Sequence, residues 1–372
     1  MEKKSKTNLT KKSKLVIIIT IVLAICVIIG AVIYINVEKE NKIETSSGAN
    51  QENNTEKKEE EKVEEKVDII DINSKTRPYA VVVNNTAVAV KVQEGLNKAY
   101  LVYEIPTEGN TSRLLALYKD IKEDLTIGTI RSARHNFVDF ALESDAIFGC
   151  FGWSIYAEGD MKNGSIDYLQ GLYGEPFYRN NPENLASEHT AYTSISKLDE
   201  AVNSKGFRKT SEDTILLNYN VSDVDLSSTQ NKKVANTITI PYGNAPQIAS
   251  FKYDEASKMY VRYENGTKCI DHNTKEDVTT KNIITYKVDY EMCNNNYYWD
   301  LHTIGSGEGY YITNGYAVPI NWKKSSRSAK TVYTYKEGTV LNGEDVGGKE
   351  ISVSDGRTWI EVQTTKQKLT IE

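Results

Sequence analysis

Residues 15–35, LVIIITIVLAICVIIGAVIYI, contain no charged side chain. As a helix rising about 1.5 Å per residue, such a run spans about 30 Å, the thickness of a bilayer's hydrocarbon core. It cannot be accommodated on the surface of a water-soluble domain, so it limits the rest of the chain to one side of a membrane. Residues 1–14 hold six lysines and one glutamate, which predicts a cytoplasmic N-terminus and an outside C-terminus. A cleaved signal peptide would carry a shorter apolar core, about 7–15 residues, ending in a small-residue cleavage site. No A-x-A site follows Gly30, and Ile25 in Leu23-Ala24-Ile25-Cys26 fits a lipoprotein processing box poorly. The expectation is an uncleaved single-pass anchor over 15–36 behind a cytoplasmic basic segment, 1–14.

Residues 37–75 change character. EKENKIETSSGANQENNTEKKEEEKVEEKV has only isolated valine and isoleucine among its charges. It cannot bury enough surface to offset the entropy of ordering, so it reads as a disordered charged tether. The net charge of the whole chain is −6, and no basic stripe with interleaved aromatics follows the anchor, which argues against a nucleic-acid partner. Four cysteines in 372 residues do not make a disulfide scaffold. Cys150, in AIFGCFGW, reads as a buried apolar residue. Cys269 and Cys293 are available for an extracellular disulfide, and the sequence leaves that pairing open.

The remainder divides in two. Over 76–225 strands alternate with helices: PYAVVVNN, AYLVYEIP, SRLLALYK and AIFGCFGW read as strands, while 88–99, SARHNFVDFALES and TSISKLDEAVNSKGF read as helices. The last of these has Thr193 or Ser194 as cap and Gly206 as stop. This predicts a mixed α/β domain. Over 230–366 short strands rich in tyrosine, threonine and valine alternate with turns, and Asn-Gly at 265–266, 314–315 and 342–343 favours hairpins. This predicts a smaller, mostly antiparallel β domain, α+β in class. GSGEG at 305–309 reads as a hairpin loop. Trp322 and Trp359 read as core anchors, and the tyrosines as sheet packing, with a carbohydrate platform as the sharper alternative.

Several strings resemble the bacterial YerB-like lipoprotein family: RPYAVVVNN at 77–85, GLNKAYLVYEIPTEGNTSRLLALY at 95–118, IGTIRSARHNFVDFALESDAIFGCFGWS at 127–154, ITNGYAVPINWKK at 312–324 and DGRTWIEV at 355–362. The resemblance covers roughly residues 75–365. It implies a two-part architecture, an N-terminal YerB-like domain and a smaller C-terminal one, and implies no reaction. Family members are usually anchored by a lipidated cysteine, for which the apolar segment substitutes here. Where the family tends to have Pro-His-Asn, this chain has Glu188-His189-Thr190, with His189 kept.

Residues that can carry chemistry concentrate in the N-terminal half. Glu104 ends a strand and Glu108 sits in the next loop. Arg113 starts another strand. Gly128 and Arg131 lead into a helix whose first turn is expected to carry Ser132 and Arg134. Unpaired N–H groups at a helix start, with guanidinium forks that suit carboxylate or phosphate, make a plausible anion site. The bland alternative is a set of Arg–Glu pairs that pin loops together. Catalysis by Glu104 or Glu108 with His189 is a weaker option, because no nucleophile elbow is present. The four histidines form no metal motif and no P-loop or dinucleotide fingerprint occurs, so neither metal nor cofactor is expected. The combined expectation is an outward-facing envelope protein. It would be a binding or adaptor module that engages a cell-wall glycan, an anionic polymer or a wall-synthesis protein. A wall hydrolase or transferase and a pure scaffold are the alternatives.

Overall fold

A computed structural model describes residues 66–372 apart from 175, 213, 243–246 and 295–296. The expected anchor, the basic segment and most of the expected tether lie outside the described residues. Among those described, no helix is long and apolar enough to cross a membrane.

The apolar runs become one mixed sheet of eleven strands. In chain order these are β1 (Tyr79–Asn84), β2 (Leu101–Thr107), β3 (Thr111–Tyr118), β4 (Ile147–Cys150), β5 (Tyr168–Gln170), β6 (Lys233–Val234), β7 (Asn282–Val288), β8 (Gly305–Thr313), β9 (Tyr316–Lys324), β10 (Val332–Tyr335) and β11 (Thr358–Thr364). They lie side by side as β6-β9-β8-β7-β11-β2-β3-β1-β4-β5, with β10 beside β9. β3 is antiparallel to both β1 and β2, and β4 runs parallel to β1. The last long strand, β11, is parallel to β2 on one side and to β7 on the other. One sheet therefore runs through both halves of the chain, across the boundary expected at 225–230.

β2 and β11 are buried at every position, because both faces of the sheet are covered. On one face lie α1 (His135–Leu142) and α2 (Ile155–Lys162). Their Phe137, Phe140, Ala157 and Met161 join Tyr103, Leu115, Leu117 and Ile360 in one core. On the other face lie α3 (Ile195–Lys205) and a second, antiparallel sheet of six strands, built chiefly from Thr237–Pro241, Ile248–Asp254 and Met259–Glu264. There Leu198, Ile238, Phe251 and Tyr260 pack with Val81, Leu114 and Trp359. The two-residue period of a strand sends alternate side chains to the two cores: Leu101, Tyr103 and Ile105 of β2 go to the helical side, and Val102 to the other.

Local chemistry explains most boundaries. All three Asn-Gly pairs adopt left-handed conformations at both residues, for example Asn314 at φ 49° and Gly315 at φ 80°, as a tight hairpin turn requires. Gly206, at φ 66°, ends α3, and Ser194 occupies its N-cap position. Trp322 and Trp359 are buried.

Four expectations fail for identifiable reasons. The helix expected over 88–99 is two 3-10 turns, Ala89–Val92 and Leu96–Lys98. Gly95 breaks it at φ 86°, where a side chain would also come within 2.6 Å of the Thr126 carbonyl oxygen. GSGEG is no loop but the first half of β8. Its glycines allow close approach, since a Cβ on Gly309 would lie 2.0 Å from the Thr285 carbonyl oxygen of β7. α1 starts at His135, so Ser132 precedes the helix and Arg134 is its N-cap rather than part of its first turn. The folded part starts before residue 75: Asp355 accepts the Asp68 and Ile69 backbone N–H groups at 2.7 and 3.0 Å, and Ile70 is in the core. Cys150, Cys269 and Cys293 are all free thiols, so the pairing of Cys269 with Cys293 is not made.

A candidate anion site and a buried charge cluster

Strand alternation in β3 divides the candidate residues. Ser112 turns with Glu104 toward the second sheet, and Arg113 turns toward the helices. Five candidates meet where the turn between β2 and β3 approaches loop 129–134. Glu108, in that turn, is gripped by Arg134, whose Nε donates to both carboxylate oxygens at 3.0 and 2.8 Å and whose Nη2 also reaches Oε1. Arg134 lies 5.0 Å over the Tyr298 ring. Arg113 Nη2 is 3.7 Å from Glu108 Oε1, and its Nη1 donates to the Ser132 carbonyl. Ser132 Oγ donates to the Phe151 carbonyl at 3.1 Å. Arg131 reaches outward to Glu188, donating to its backbone oxygen at 3.1 Å and its carboxylate at 3.4 Å.

His189 joins this group from the side. Asn84 Nδ2 donates to its Nδ1 at 2.9 Å, and its Nε2 lies 3.6 Å from Glu188 Oε1. Burial lowers the His189 pKa, Arg131 adds to the effect and Glu188 opposes it. Burial pulls Arg113 down to about 9, with Arg134 and Arg131 contributing as like charges and Glu108 opposing. Burial alone would raise the Glu108 carboxyl, but its hydrogen bonds from Arg134 and the two guanidinium charges hold it below the usual range. Three guanidinium groups thus share two carboxylates. Arg134 is committed to Glu108. Arg131, with about a quarter of its side chain exposed, faces a carboxylate that is itself half in water.

Glu104 is elsewhere. It is fully buried, and its Oε1 accepts from Asn85 Nδ2 at 3.0 Å and Ser112 Oγ at 2.6 Å. Its Oε2 accepts from Arg262 Nη2 at 3.0 Å. The same Nη2 donates to Glu264 at 2.8 Å, Nη1 donates to Cys269 Sγ at 2.9 Å, and the guanidinium stacks 4.9 Å over Trp359. Glu361 is Glu104's direct neighbour across β2 and β11. Burial and the Glu104 charge push its carboxyl well above the usual range, and Tyr242 OH donates to it at 2.6 Å. Sequence reading missed Asn85, Tyr242, Arg262, Glu264 and Glu361. The available signal was the alternation of Tyr260, Arg262 and Glu264 along one strand, and a lone carboxylate inside the apolar run TWIEVQ. Among the described residues, no group of three or more His, Cys, Asp or Glu is placed to hold a metal.

One mixed sheet is shared by the two chain halves, with Arg113 turned to its helical side and the closed Glu104–Arg262 cluster on the side of the second sheet, which makes this a two-part α+β protein. Two family signatures match it: the N-terminal domain of protein of unknown function (DUF3048) over residues 67–208, and the C-terminal domain of the same family over 238–360. The chain belongs to this YerB-like, two-domain family. It is 29% identical over 296 residues to YerB of Bacillus subtilis (strain 168), a protein named as a lipoprotein, covering 78% of this chain and 82% of that one. The crystal structure of the YerB protein from Bacillus subtilis superposes with a TM-score of 0.65 at 26% identity, covering 80% of this chain and 94% of that one.

Proposed function

We propose that this chain is a membrane-held binding or adaptor module of the bacterial cell envelope, working outside the cytoplasm. Its loop 129–134, where Arg131 and Ser132 are the partly exposed positions, would take an anionic group of a wall polymer or of a wall-synthesis protein. The observation that carries the proposal is the excess of guanidinium over carboxylate around Glu108, with Arg131 at the open edge. Two forks can clasp one carboxylate or phosphate bidentately, and an incoming anion has only to displace Glu188 from Arg131. The lipoprotein name of the relative supports the location, as does the uncharged segment 15–35, which would supply a single-pass anchor with the folded part outside. Glycoside cleavage by Glu104 or Glu108 with His189 draws no support from this arrangement, because the buried Glu104 carboxylate is held by three donors, Asn85, Ser112 and Arg262, and Glu108 is locked to Arg134.

Thermal melting of residues 66–372 against muropeptides, teichoic-acid fragments and inorganic phosphate tests the proposal. A ligand at a hundred times its dissociation constant stabilises by about 2.7 kcal/mol. The expected result is a shift with one of the three that disappears in Arg131→Ala, a variant that itself loses no more than about 1 kcal/mol. Arg134→Ala, which strands Glu108, should lose about 3–5 kcal/mol. No shift with any ligand, or the same shift in Arg131→Ala, would remove the loop as an anion site.

A further inference from the structure

Strand β5 runs into a tight turn, Gly171 to Gly174, closed by the Gly174 backbone N–H donating to the Gly171 carbonyl at 3.3 Å. The Leu172 N–H donates to Gln170 Oε1 at 2.7 Å and fixes the turn to its strand. The middle of such a turn favours Gly, Pro, Asn, Asp and Ser. Here it holds Leu172 and Tyr173, which are 51% and 84% exposed. Trp153 stands beside them, its ring 6.5 Å from that of Tyr173. Ile155, 63% exposed, follows two residues later at the start of α2. Gly152 joins the two segments, since a Cβ there would lie 3.8 Å from Leu172 Cδ2. Single exposed apolar residues are ordinary on a protein surface, but a contiguous group of them marks an interaction surface.

The make-up of this patch and the chain outside the described residues point to one partner. Tryptophan and tyrosine with aliphatic neighbours settle at the level of lipid headgroups. The described residues begin at 66, and the uncharged run ends at 35. A flexible tether of the roughly thirty residues between them spans about 30 Å. Val67 and Ile69 pack on the same helical-side core as Trp153, so the chain enters the fold on the side that bears the patch. A tethered surface meets its bilayer at high effective concentration, where a patch too small to hold a free protein is sufficient. We propose that Leu172, Tyr173, Trp153 and Ile155 dip into the interfacial layer of the lipid bilayer and lay the folded part against the membrane that holds the chain. The inference rests on the reading of residues 15–35 as an anchor, and not on loop 129–134 as an anion site.

Vesicles of phosphatidylglycerol and phosphatidylcholine brominated on its acyl chains test this with the full chain. The chain has four tryptophans, none of them in 15–35, and the bromines quench only indoles at the bilayer. Among chains that float with the vesicles, the expected result is a tryptophan emission lower than in unbrominated vesicles, and this difference should disappear in Trp153→Phe. Leu172→Ser with Tyr173→Ser should reduce the quenching at least twofold, and these exposed turn positions leave folding intact. Arg131→Ala should leave it unchanged. Flotation without quenching, quenching that survives Trp153→Phe, or full quenching in the double turn variant would each overturn the patch and leave the anchor standing. Loss of quenching in Arg131→Ala would also overturn it, and would move the lipid contact to loop 129–134. A chain that does not float would overturn this inference together with the anchor.

Discussion

Glu264 is a buried residue whose cost can be measured by pH. Burial raises its carboxyl to about 7, the neighbouring Glu104 charge adds to this, and Arg262 opposes it. An unfolded glutamate titrates near about 4.3. Between these values the folded chain keeps a proton that the unfolded chain releases. The stability this proton contributes is full in acid and is lost as pH rises through about 7. The unfolding free energy should fall by up to about 3 kcal/mol between pH 5 and pH 8 through this one site. Glu264→Gln should flatten the slope in urea unfolding at several pH values. A slope that survives the substitution would assign the titration to another carboxyl. In the sequence, Glu264 looked like one more charge beside an Asn-Gly turn. Its partner Glu104 is 160 positions away in number, and only the packing of two sheets brings them to one arginine.

At the scale of elements, glycine position decides between two opposite outcomes. Gly309 lies in β8, where any Cβ would run into the β7 backbone. Gly309→Ala should therefore cost about 2–3 kcal/mol by forcing β7 and β8 apart. Gly159 sits in the middle of α2 with nothing within 4 Å of a built Cβ. Gly159→Ala should stabilise by about 0.5–1 kcal/mol, through helix propensity and a less entropic unfolded chain. Guanidinium chloride midpoints for the two variants should move in opposite directions, and movement in the same direction would discount the close approach at Gly309. Both glycines were visible in the sequence. Composition and spacing could not separate them, because a glycine that frees a turn and one that admits a neighbouring strand look alike in one dimension.

For the molecule as a whole, β11 is the decisive element. It fills the gap between β2 of the first half and β7 of the second, so neither half owns a complete sheet. Residues 66–372 should unfold as one cooperative unit, with calorimetric and van't Hoff enthalpies in agreement. Two resolved calorimetric transitions would show that the halves fold independently despite the shared sheet.

By itself the sequence determined what depends on neighbours in the chain. The uncharged run and its flanking lysines, the three Asn-Gly turns, the stop at Gly206, most strands and the family strings were all legible, because hydrophobic period and backbone freedom are local properties. It also put Glu108, Arg113, Arg131, Ser132 and Arg134 on one short list with Glu104 and His189, since three of the five lie in loop 129–134 and the other two in or beside the turn between β2 and β3. The tertiary structure decided the rest. It turned Glu104 to the face opposite Arg113 while Glu108 falls in the turn beyond β2, paired Glu104 with Arg262, and gave Cys269 to that arginine instead of to Cys293. These outcomes turn on which strands lie side by side, and strand order is set by contacts between distant segments that no local pattern encodes.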